Sequence, residues 1–302
     1  MDQYVNKKRS LSEIAEDCAC SRQYVRKRMG QLGIPRRSLR SARDLALRQN
    51  KIKVERIDNA GGQTTVVYHR ITFNRKFFSR WSSTMAYVLG VVFTDGCLDV
   101  RKQSRKNLVR RVPHLSMAQK DSELLLKVLA VMECNANLHY RPRKKYGDKV
   151  SGAVYYFDFA CTPIYPDLLR LGLSSKKSLD IEFPDIPEEY VRHFIRGCWD
   201  GDGSVYIEKH TGKICASFVS GSEKFIEGIL KALEKAGLPK RTIYVRKGKI
   251  PSYYFRFCGK QCLDLCHFLY DDVPSTQYLA RKHAVFTQFS KKHAKDVQTS
   301  LF

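Results

Sequence analysis

The sequence Leu-Gly-Val-Val-Phe-Thr-Asp-Gly at residues 89–96 returns in altered form as Ile-Arg-Gly-Cys-Trp-Asp-Gly-Asp-Gly at residues 195–203. Each stretch is an apolar helical run with a glycine inside it, and each ends in an acid followed by glycine. Glycine costs about 1 kcal/mol relative to alanine inside a helix, so Gly90 and Gly197 predict two helices packed almost backbone to backbone. Such packing would place Asp95 and Asp202 side by side at the helix ends.

Two neighbouring carboxylates repel each other unless a proton or a divalent cation lies between them. Carboxylate oxygens are the ligands of hard cations such as Mg²⁺, so the acid pair predicts a metal site. The chain is otherwise strongly basic, with 54 lysines and arginines against 30 acids and a net charge of +24 over 302 residues. Residues 1–80 hold 19 of these basic residues and only 7 acids. A basic protein with a paired-acid metal site indicates phosphodiester chemistry on nucleic acid.

The two segments resemble the paired motifs of the LAGLIDADG homing endonucleases, and residues 194–204 resemble them most closely. The first segment has Phe93 where the earlier acid of the motif would fall, but that acid is not the one that the family uses for metal. The resemblance covers roughly residues 77 to 290. It implies an α+β fold of two pseudo-symmetric αββαββα half-domains in one monomeric chain. It also implies a site-specific endonuclease of an intron or other mobile element, making a double-strand break in DNA.

The resemblance further implies how the two halves meet DNA. Two antiparallel sheets would lie along the major groove, and the motif helices would form the interface beneath the minor groove. Asp95 and Asp202 would bind Mg²⁺, in two or more ions, with carbonyl oxygens from Thr94 and Gly201. Metal-bound water would then be the nucleophile at one phosphate on each strand.

Two more catalytic residues follow from the resemblance. Gln119, at the end of the second strand, matches a polar residue that orders water around the metals. Lys260 matches the usual basic residue of the second half. Its counterpart in the first half is Thr162, which is not basic, so the sequence predicts unequal rates for the two strand cuts.

Residues 1–35 predict a separate helical module with its own link to DNA. Ser10 and Glu13 fit a capping box that opens the first of two short helices. The helix-turn-helix spacing is carried by Ala15, Ala19 and Val25. The outward side chains of the second helix are of the types that contact base edges and phosphates: Arg22, Gln23, Arg26 and Lys27. A plain helical hairpin with a solvated basic face is the alternative.

The rest of the chain divides into a basic linker at residues 36–76, a first half-domain at 77–180 and a second at 181–302. Strands with alternating faces can bury one face on helices and offer the other to a duplex. Three basic side chains would share one face of a strand from Leu138 to Lys145: Arg141, Arg143 and Lys145. The second half offers Arg246 and Arg256 for the same role.

Ten cysteines are scattered singly through the sequence, mostly at apolar positions. This pattern predicts free thiols that act as small core residues in a reducing compartment, and not a disulfide framework or a zinc site. Neither a signal peptide nor a long apolar segment is visible, which predicts an intracellular protein with no membrane partner.

Two other functions remain open at the level of the sequence. An RNA-binding intron maturase would use the same fold to assist the folding of intron RNA without needing both acids. A DNA-binding regulator that has lost catalysis would keep the amino-terminal module and the sheets. Retention of Asp95 and Asp202 favours cleavage over both.

Overall fold

The computed structural model describes residues 2–49, 51–58, 64–105, 108–146, 149–174, 180–248 and 250–299. The chain divides into two compact units, one made of Met1–Ile71 with Arg101–Val112 and the other of Thr72–Val100 with Pro113–Phe302. Across the described ranges, no helix is both long and apolar enough to cross a membrane.

The first unit begins with four helices and a strand pair: α1 Asp2–Val5, α2 Leu11–Asp17, α3 Arg22–Gln31, α4 Leu39–Arg48, β1 Ile52–Asp58 and β2 Thr64–Arg70. The capping box forms at the start of α2, where the Ser10 hydroxyl accepts the Glu13 N–H at 3.2 Å and the Glu13 carboxylate accepts the Ser10 N–H at 2.7 Å. A small core holds α2 against α3, and its buried residues are Tyr4, Ala15, Val25, Met29 and Ile34. Ala19 lies in the turn between the two helices with a φ of 47°.

The segment at residues 36–76, predicted to be a linker, contains α4 and the antiparallel β1–β2 pair. Its charge is partly structural. The Arg37 guanidinium donates to the Arg9 carbonyl at 3.0 Å and lies 4.0 Å from the centroid of the Tyr4 ring. At least one of the basic residues of this segment therefore interacts with groups of its own unit.

Residues 83–270 contain two halves with the same order of elements, which confirms the predicted fold class. The first half is α5 Ser83–Asp95, β3 Gly96–Arg105, β4 Leu108–Gln119, α6 Ser122–Val131, β5 His139–Arg141, β8 Val154–Ala160 and α7 Tyr165–Arg170, with a small hairpin of β6 Lys144–Tyr146 and β7 Lys149–Ser151. The second half is α8 Glu188–Asp202, β9 Ser204–Ile207, β10 Ile214–Ser220, α9 Glu223–Lys235, β11 Tyr244–Arg246, β12 Ser252–Cys258 and α10 Lys260–Tyr270. A 3₁₀ turn at Ser275–Gln277 then leads into α11, Ala280–Thr299.

Each half forms a four-stranded sheet in the same spatial order. The neighbours run β3-β4-β8-β5 in the first half and β9-β10-β12-β11 in the second, and the pairings with a determined register are antiparallel. Buried aromatic side chains at alternate positions, such as Phe157 and Phe159 on β8 and Phe255 and Phe257 on β12, face the core. The other face of each sheet is the one that the sequence assigned to DNA.

The strand predicted from Leu138 to Lys145 is wrong in its second part. β5 ends at Arg141, Pro142 follows, and Lys144–Tyr146 pairs with Lys149–Ser151 in a different sheet. Proline has no N–H to donate to a strand neighbour, so it ends the ladder at this position. Arg141, Arg143 and Lys145 therefore do not share one face of one strand.

The expectation that all ten cysteines are free is wrong for one pair. Cys215 on β10 and Cys258 on β12 are directly opposed in the strand register and form a disulfide. The other eight cysteines are free thiols. Cys215 and Cys258 lie 43 positions apart, and only the register of the sheet brings them together.

Candidate active site at the paired helix ends

The helices α5 and α8 touch through their backbones. A Cβ atom added to Gly90 would lie 2.1 Å from the Phe194 carbonyl oxygen, and one added to Gly197 would lie 2.0 Å from the Tyr87 carbonyl oxygen. Both distances are far below contact distance, so neither position accepts any side chain in this arrangement. The two glycines set the spacing of the helix pair.

Both helices end in the same way. Asp95 is the last residue of α5 and Asp202 the last of α8, and each is followed by a glycine in extended conformation, Gly96 and Gly203. A Cβ on either of these glycines would lie 2.6 Å from a carbonyl oxygen of the preceding turn, that of Val92 or Trp199. Each helix therefore passes directly into a strand, and Asp95 and Asp202 lie at the two equivalent helix ends.

The Asp95 carboxylate is held close to the end of the other helix. Gln119, the last residue of β4, donates its amide N–H to Asp95 Oδ2 at 2.7 Å. A Cβ on Gly201 would lie 2.9 Å from the same oxygen and 2.0 Å from the Thr94 hydroxyl oxygen. Asp95, Gln119, Thr94 and Gly201 are thus brought together, while Asp202 is exposed at the end of α8. The missing side chain of Gly201 leaves the space that the carboxylate occupies.

Lys282, on α11, lies at the same helix end although the sequence did not single it out. Its side chain is buried, and its ammonium group donates to the carbonyl oxygens of Trp199 and Asp200 at 2.7 Å and of Gly203 at 2.5 Å, with Gly201 O at 3.3 Å. These oxygens belong to the last turn of α8 and to Gly203, which follows it directly. The dipole and the carbonyl groups at the carboxyl end of a helix favour a cation. Burial lowers the pKa of Lys282 to about 8, against the attraction of Asp200, Asp95 and Asp202.

Asp200 fixes the chain that carries Lys282. Its buried carboxylate accepts the Tyr87 hydroxyl at 2.8 Å and the backbone N–H of Leu279 at 2.7 Å. Burial raises the pKa of Asp200 to about 6, and the hydrogen bond from Tyr87 is the largest of the interactions that oppose this rise. The Asp200 carboxylate thus connects α5 and α8 to Leu279, which lies directly before α11 and three residues before Lys282.

Arg196, one turn earlier on α8, completes this buried network. Its guanidinium donates to the Gln277 carbonyl at 2.7 Å and to the Leu269 carbonyl at 3.1 Å. The Gln277 side chain in turn donates to the Thr84 hydroxyl on α5 at 2.8 Å. Burial lowers the pKa of Arg196 to about 10. A buried charge costs several kcal/mol unless it is paired and hydrogen-bonded. These hydrogen bonds therefore hold α8 against the segment from Leu269 to Gln277.

Lys260, predicted to be the basic residue of the second half, is exposed at the first position of α10. Lys282 is a second basic residue at this end of α8, and it lies near enough to Asp95 and Asp202 for both to raise its pKa. A signal for Lys282 was present in the sequence: Leu279, Lys282, Phe286 and Phe289 have the spacing of one helix face, and all four are buried. Thr162, the proposed first-half counterpart of Lys260, is also exposed.

The predicted DNA-binding residues lie at several separate places. Four exposed side chains follow one another on α3: Arg22, Gln23, Arg26 and Lys27. In the repeated halves, Arg141, Arg246 and Arg256 are exposed on β5, β11 and β12. Arg143 is exposed between β5 and β6, and Lys145 lies in β6.

The donor set at the helix ends fits a hard divalent cation that is bound together with its substrate. Within the described ranges, no group of three or more histidine, cysteine or acidic residues could hold a metal. Mg²⁺ is commonly held by one or two carboxylates, with substrate phosphates and water filling the other positions. Two carboxylates with neighbouring carbonyl oxygens match that pattern, and they do not match a closed structural site.

Comparison with known proteins gives one family. The model described as a LAGLIDADG-like domain matches residues 189–267. A protein named Probable translation initiation factor IF-2, from Methanocaldococcus jannaschii, is 25% identical over 199 residues, which cover 62% of this chain and 15% of that protein.

Similar solved structures were also found. I-DmoI in complex with DNA and Ca has 15% identity and a TM-score of 0.43, covering 68% of this chain and 96% of that chain. The LAGLIDADG homing endonuclease I-GzeII with its DNA target has 14% identity and a TM-score of 0.48, covering 73% and 92%. The meganuclease I-SmaMI bound to uncleaveable DNA has 12% identity and a TM-score of 0.44, covering 70% and 90%.

Proposed function

Since this chain belongs to the LAGLIDADG family, with the family model matched in its second half, we propose that it is a site-specific endonuclease that cuts both strands of double-stranded DNA. The observation that carries the proposal is the pair of matched helix ends, where Gly90 and Gly197 bring α5 and α8 into backbone contact. Asp95 and Asp202 both lie near enough to Lys282 to influence its pKa. A structural helix pair would not need an acid at each of the two matched ends.

We assign the metal to Asp95 and Asp202, with the carbonyl oxygens of Thr94 and Gly201 as further ligands, and we propose Mg²⁺ as the ion. When bound, a divalent ion lowers the pKa of water and stabilises charge on a phosphodiester. Gln119 holds Asp95 Oδ2 in place through its 2.7 Å hydrogen bond. This hydrogen bond restricts the orientation of the carboxylate.

Lys282 supplies positive charge at the point where charge develops on the scissile phosphate. Preorganised charge in a site with little water is worth more than the same charge in solution. Three hydrogen bonds of 2.5 to 2.7 Å fix the ammonium group against the end of α8. It cannot move away when DNA binds, so its contribution to the transition state carries no cost of reordering.

We assign DNA binding to the outer faces of the two sheets and to the exposed face of α3. Arg141, Arg246 and Arg256 lie on the sheets, and Arg22, Gln23, Arg26 and Lys27 lie on α3. A target read over both sheets is long, as a homing endonuclease of a mobile element requires. The net charge of +24 supports binding to a polyanion.

The test is cleavage of a random library of DNA targets in the presence of Mg²⁺, followed by sequencing of the cut ends. The proposal predicts a double-strand cut at one fixed position within a shared sequence, and no cut when the ion is chelated. An absence of metal-dependent cutting, with Mg²⁺ or Mn²⁺, would contradict it. Specific binding without cutting would instead support a regulator of the same fold.

A further inference from the structure

The two sheets carry the same arrangement of three side chains near their outer edges. In the first half, His139 on β5 is directly opposite Tyr156 on β8, with ring centroids 5.2 Å apart and an angle of 29° between the planes. In the second half, Tyr244 on β11 is directly opposite Tyr254 on β12, at 5.4 Å and 27°. Equivalent strands therefore carry equivalent stacked rings.

An arginine lies over each tyrosine, two residues after the first ring. The Arg141 guanidinium is 5.8 Å from the centroid of Tyr156, and the Arg246 guanidinium is 5.7 Å from that of Tyr254. These distances are in the range of a cation–π interaction. We refer to the two sets as the first triplet, His139, Tyr156 and Arg141, and the second triplet, Tyr244, Tyr254 and Arg246.

Both triplets lie on the face of the sheet that is turned away from the core. Phe157 on β8 and Phe255 on β12 are fully buried, and each directly follows the tyrosine of its triplet. Side chains alternate between the two faces of a strand, so the tyrosines and their directly opposed partners are on the other face. Both arginines are exposed. The triplets thus present their guanidinium groups on the face assigned to DNA.

Among the described residues, neither Arg141 nor Arg246 has an ion-pair partner. Arg256, on the same face of β12, differs because its guanidinium lies 3.9 Å from the Glu208 carboxylate. A guanidinium that rests on a ring and has no acid beside it keeps its planar fork of donors available. The tyrosine restricts the rotamers of the arginine, which lowers the entropy that is lost when the fork binds.

We infer that the two triplets are equivalent guanine-reading sites, in which Arg141 and Arg246 each donate two hydrogen bonds to O6 and N7 of a guanine in the major groove. This inference rests on the proposed function, because it requires the sheets to lie on DNA. A planar fork with fixed orientation matches the two acceptors of guanine, O6 and N7. The same fork can also bind a phosphate in a bidentate pair, and the two cases differ because only the guanine contact depends on the base at one position. Because the triplets occupy equivalent strands of the two halves, the guanines lie on opposite strands at matched distances from the cut.

The experiment selects bound sequences from a randomised duplex library with Ca²⁺ in place of Mg²⁺, so that binding is read without cutting. Wild type is compared with Arg141→Lys and Arg246→Lys, which keep the charge and lose the fork. Each variant should lose preference for guanine at one position by about 5- to 150-fold, the range of one bidentate contact. The two positions should be related by the centre of the site.

Variants of the tyrosines separate the triplet from the arginine alone. Tyr156→Phe keeps the ring and should retain the guanine preference, whereas Tyr156→Leu should lower it at the Arg141 position only. Tyr254→Phe and Tyr254→Leu are the matched pair in the second half. Thermal melting of each variant shows whether the sheet is intact.

Three results with the variants would overturn the inference: a uniform loss of affinity at all positions, as a phosphate contact gives; an unchanged guanine preference; or two affected positions that are not matched about the centre. Wild-type binding with no sequence preference would overturn it as well. Specific binding with the expected pattern, but no cutting in Mg²⁺, would leave the inference standing and contradict the proposed endonuclease.

Discussion

Replacing Gly197 by alanine should destabilise the second unit, although alanine is the better helix former. The new Cβ would lie 2.0 Å from the Tyr87 carbonyl oxygen and 3.0 Å from the Val91 nitrogen. A carbon needs about 3.5 Å, so the helices must separate locally by about 1.5 Å. Both neighbours are backbone atoms inside a helix and cannot swing aside.

The magnitude follows from two opposing terms. Overpacking a well-packed interface costs typically about 1 to 3 kcal/mol and sometimes more, while the gain in helix propensity is at most about 1 kcal/mol. The 2.0 Å contact puts the cost at the upper end of that range, so we expect a net loss of about 2 to 3 kcal/mol in the free energy of unfolding. A loss of this size lowers the Tm of a unit of this size by roughly 4 to 12 °C. Gly90→Ala should behave alike, and the double variant should cost less than the sum because both substitutions separate the same helices.

Scanning calorimetry measures the effect, and Gly30→Ala is the control. Gly30 is an exposed glycine in α3, and a Cβ there meets no atom within 4 Å. The Gly30→Ala substitution should stabilise the first unit by roughly 0.5 to 1 kcal/mol through helix propensity alone. If Gly197→Ala melts at or above the wild-type temperature while Gly30→Ala behaves as expected, the contact between the helix backbones is wrong.

Two further predictions concern buried charges. Lys282→Met should remove cleavage of bound DNA. Its affinity in a gel-shift assay should be nearly unchanged, because the amine of Lys282 faces the end of α8. Cutting by the variant at the wild-type rate would show that Lys282 is not part of the active site. In the first unit, burial would raise the pKa of Glu13, but the Lys51 ammonium at 2.6 Å is the largest of the effects that lower it to about 2. Because the pKa of Glu13 is lower in the folded protein than its ordinary value of 4.5, the ion pair increases the free energy of unfolding at a pH above about 4.5. This contribution totals about 3 kcal/mol and is lost as the pH falls toward 2. Urea unfolding at several pH values should show this loss of stability for wild type and not for Lys51→Met. A wild-type free energy of unfolding that stays constant from pH 5 to 3 would contradict the ion pair between Glu13 and Lys51.

The helix pair could be predicted from the sequence because its signal occurs twice. A glycine inside an apolar helix contradicts local propensity, and the same contradiction at Gly90 and Gly197 points to one shared cause. Asp95 and Asp202 then follow from helix length alone. The repeated order of strands and helices after each motif was predictable for the same reason.

Features that depend on the placement of distant segments could not be predicted in this way. Lys282 lies 80 residues after Asp202 in the numbering, in a segment with no motif, and only the buried network around Asp200 brings it to the acids. The disulfide between Cys215 and Cys258 requires the strand register. The end of β5 at Arg141 is predictable from the sequence, because Pro142 follows it directly and cannot donate to a strand neighbour.

The most direct test of the account is a strand-specific cleavage assay on the selected target, with the two DNA strands carrying different labels. Asp95→Asn and Asp202→Asn are compared with wild type at saturating protein and Mg²⁺. We predict that wild type cuts both strands, that each variant fails to cut at least one of them, and that both variants still bind the target. Double-strand cutting at the wild-type rate by either variant would show that the paired acids do not form the active site.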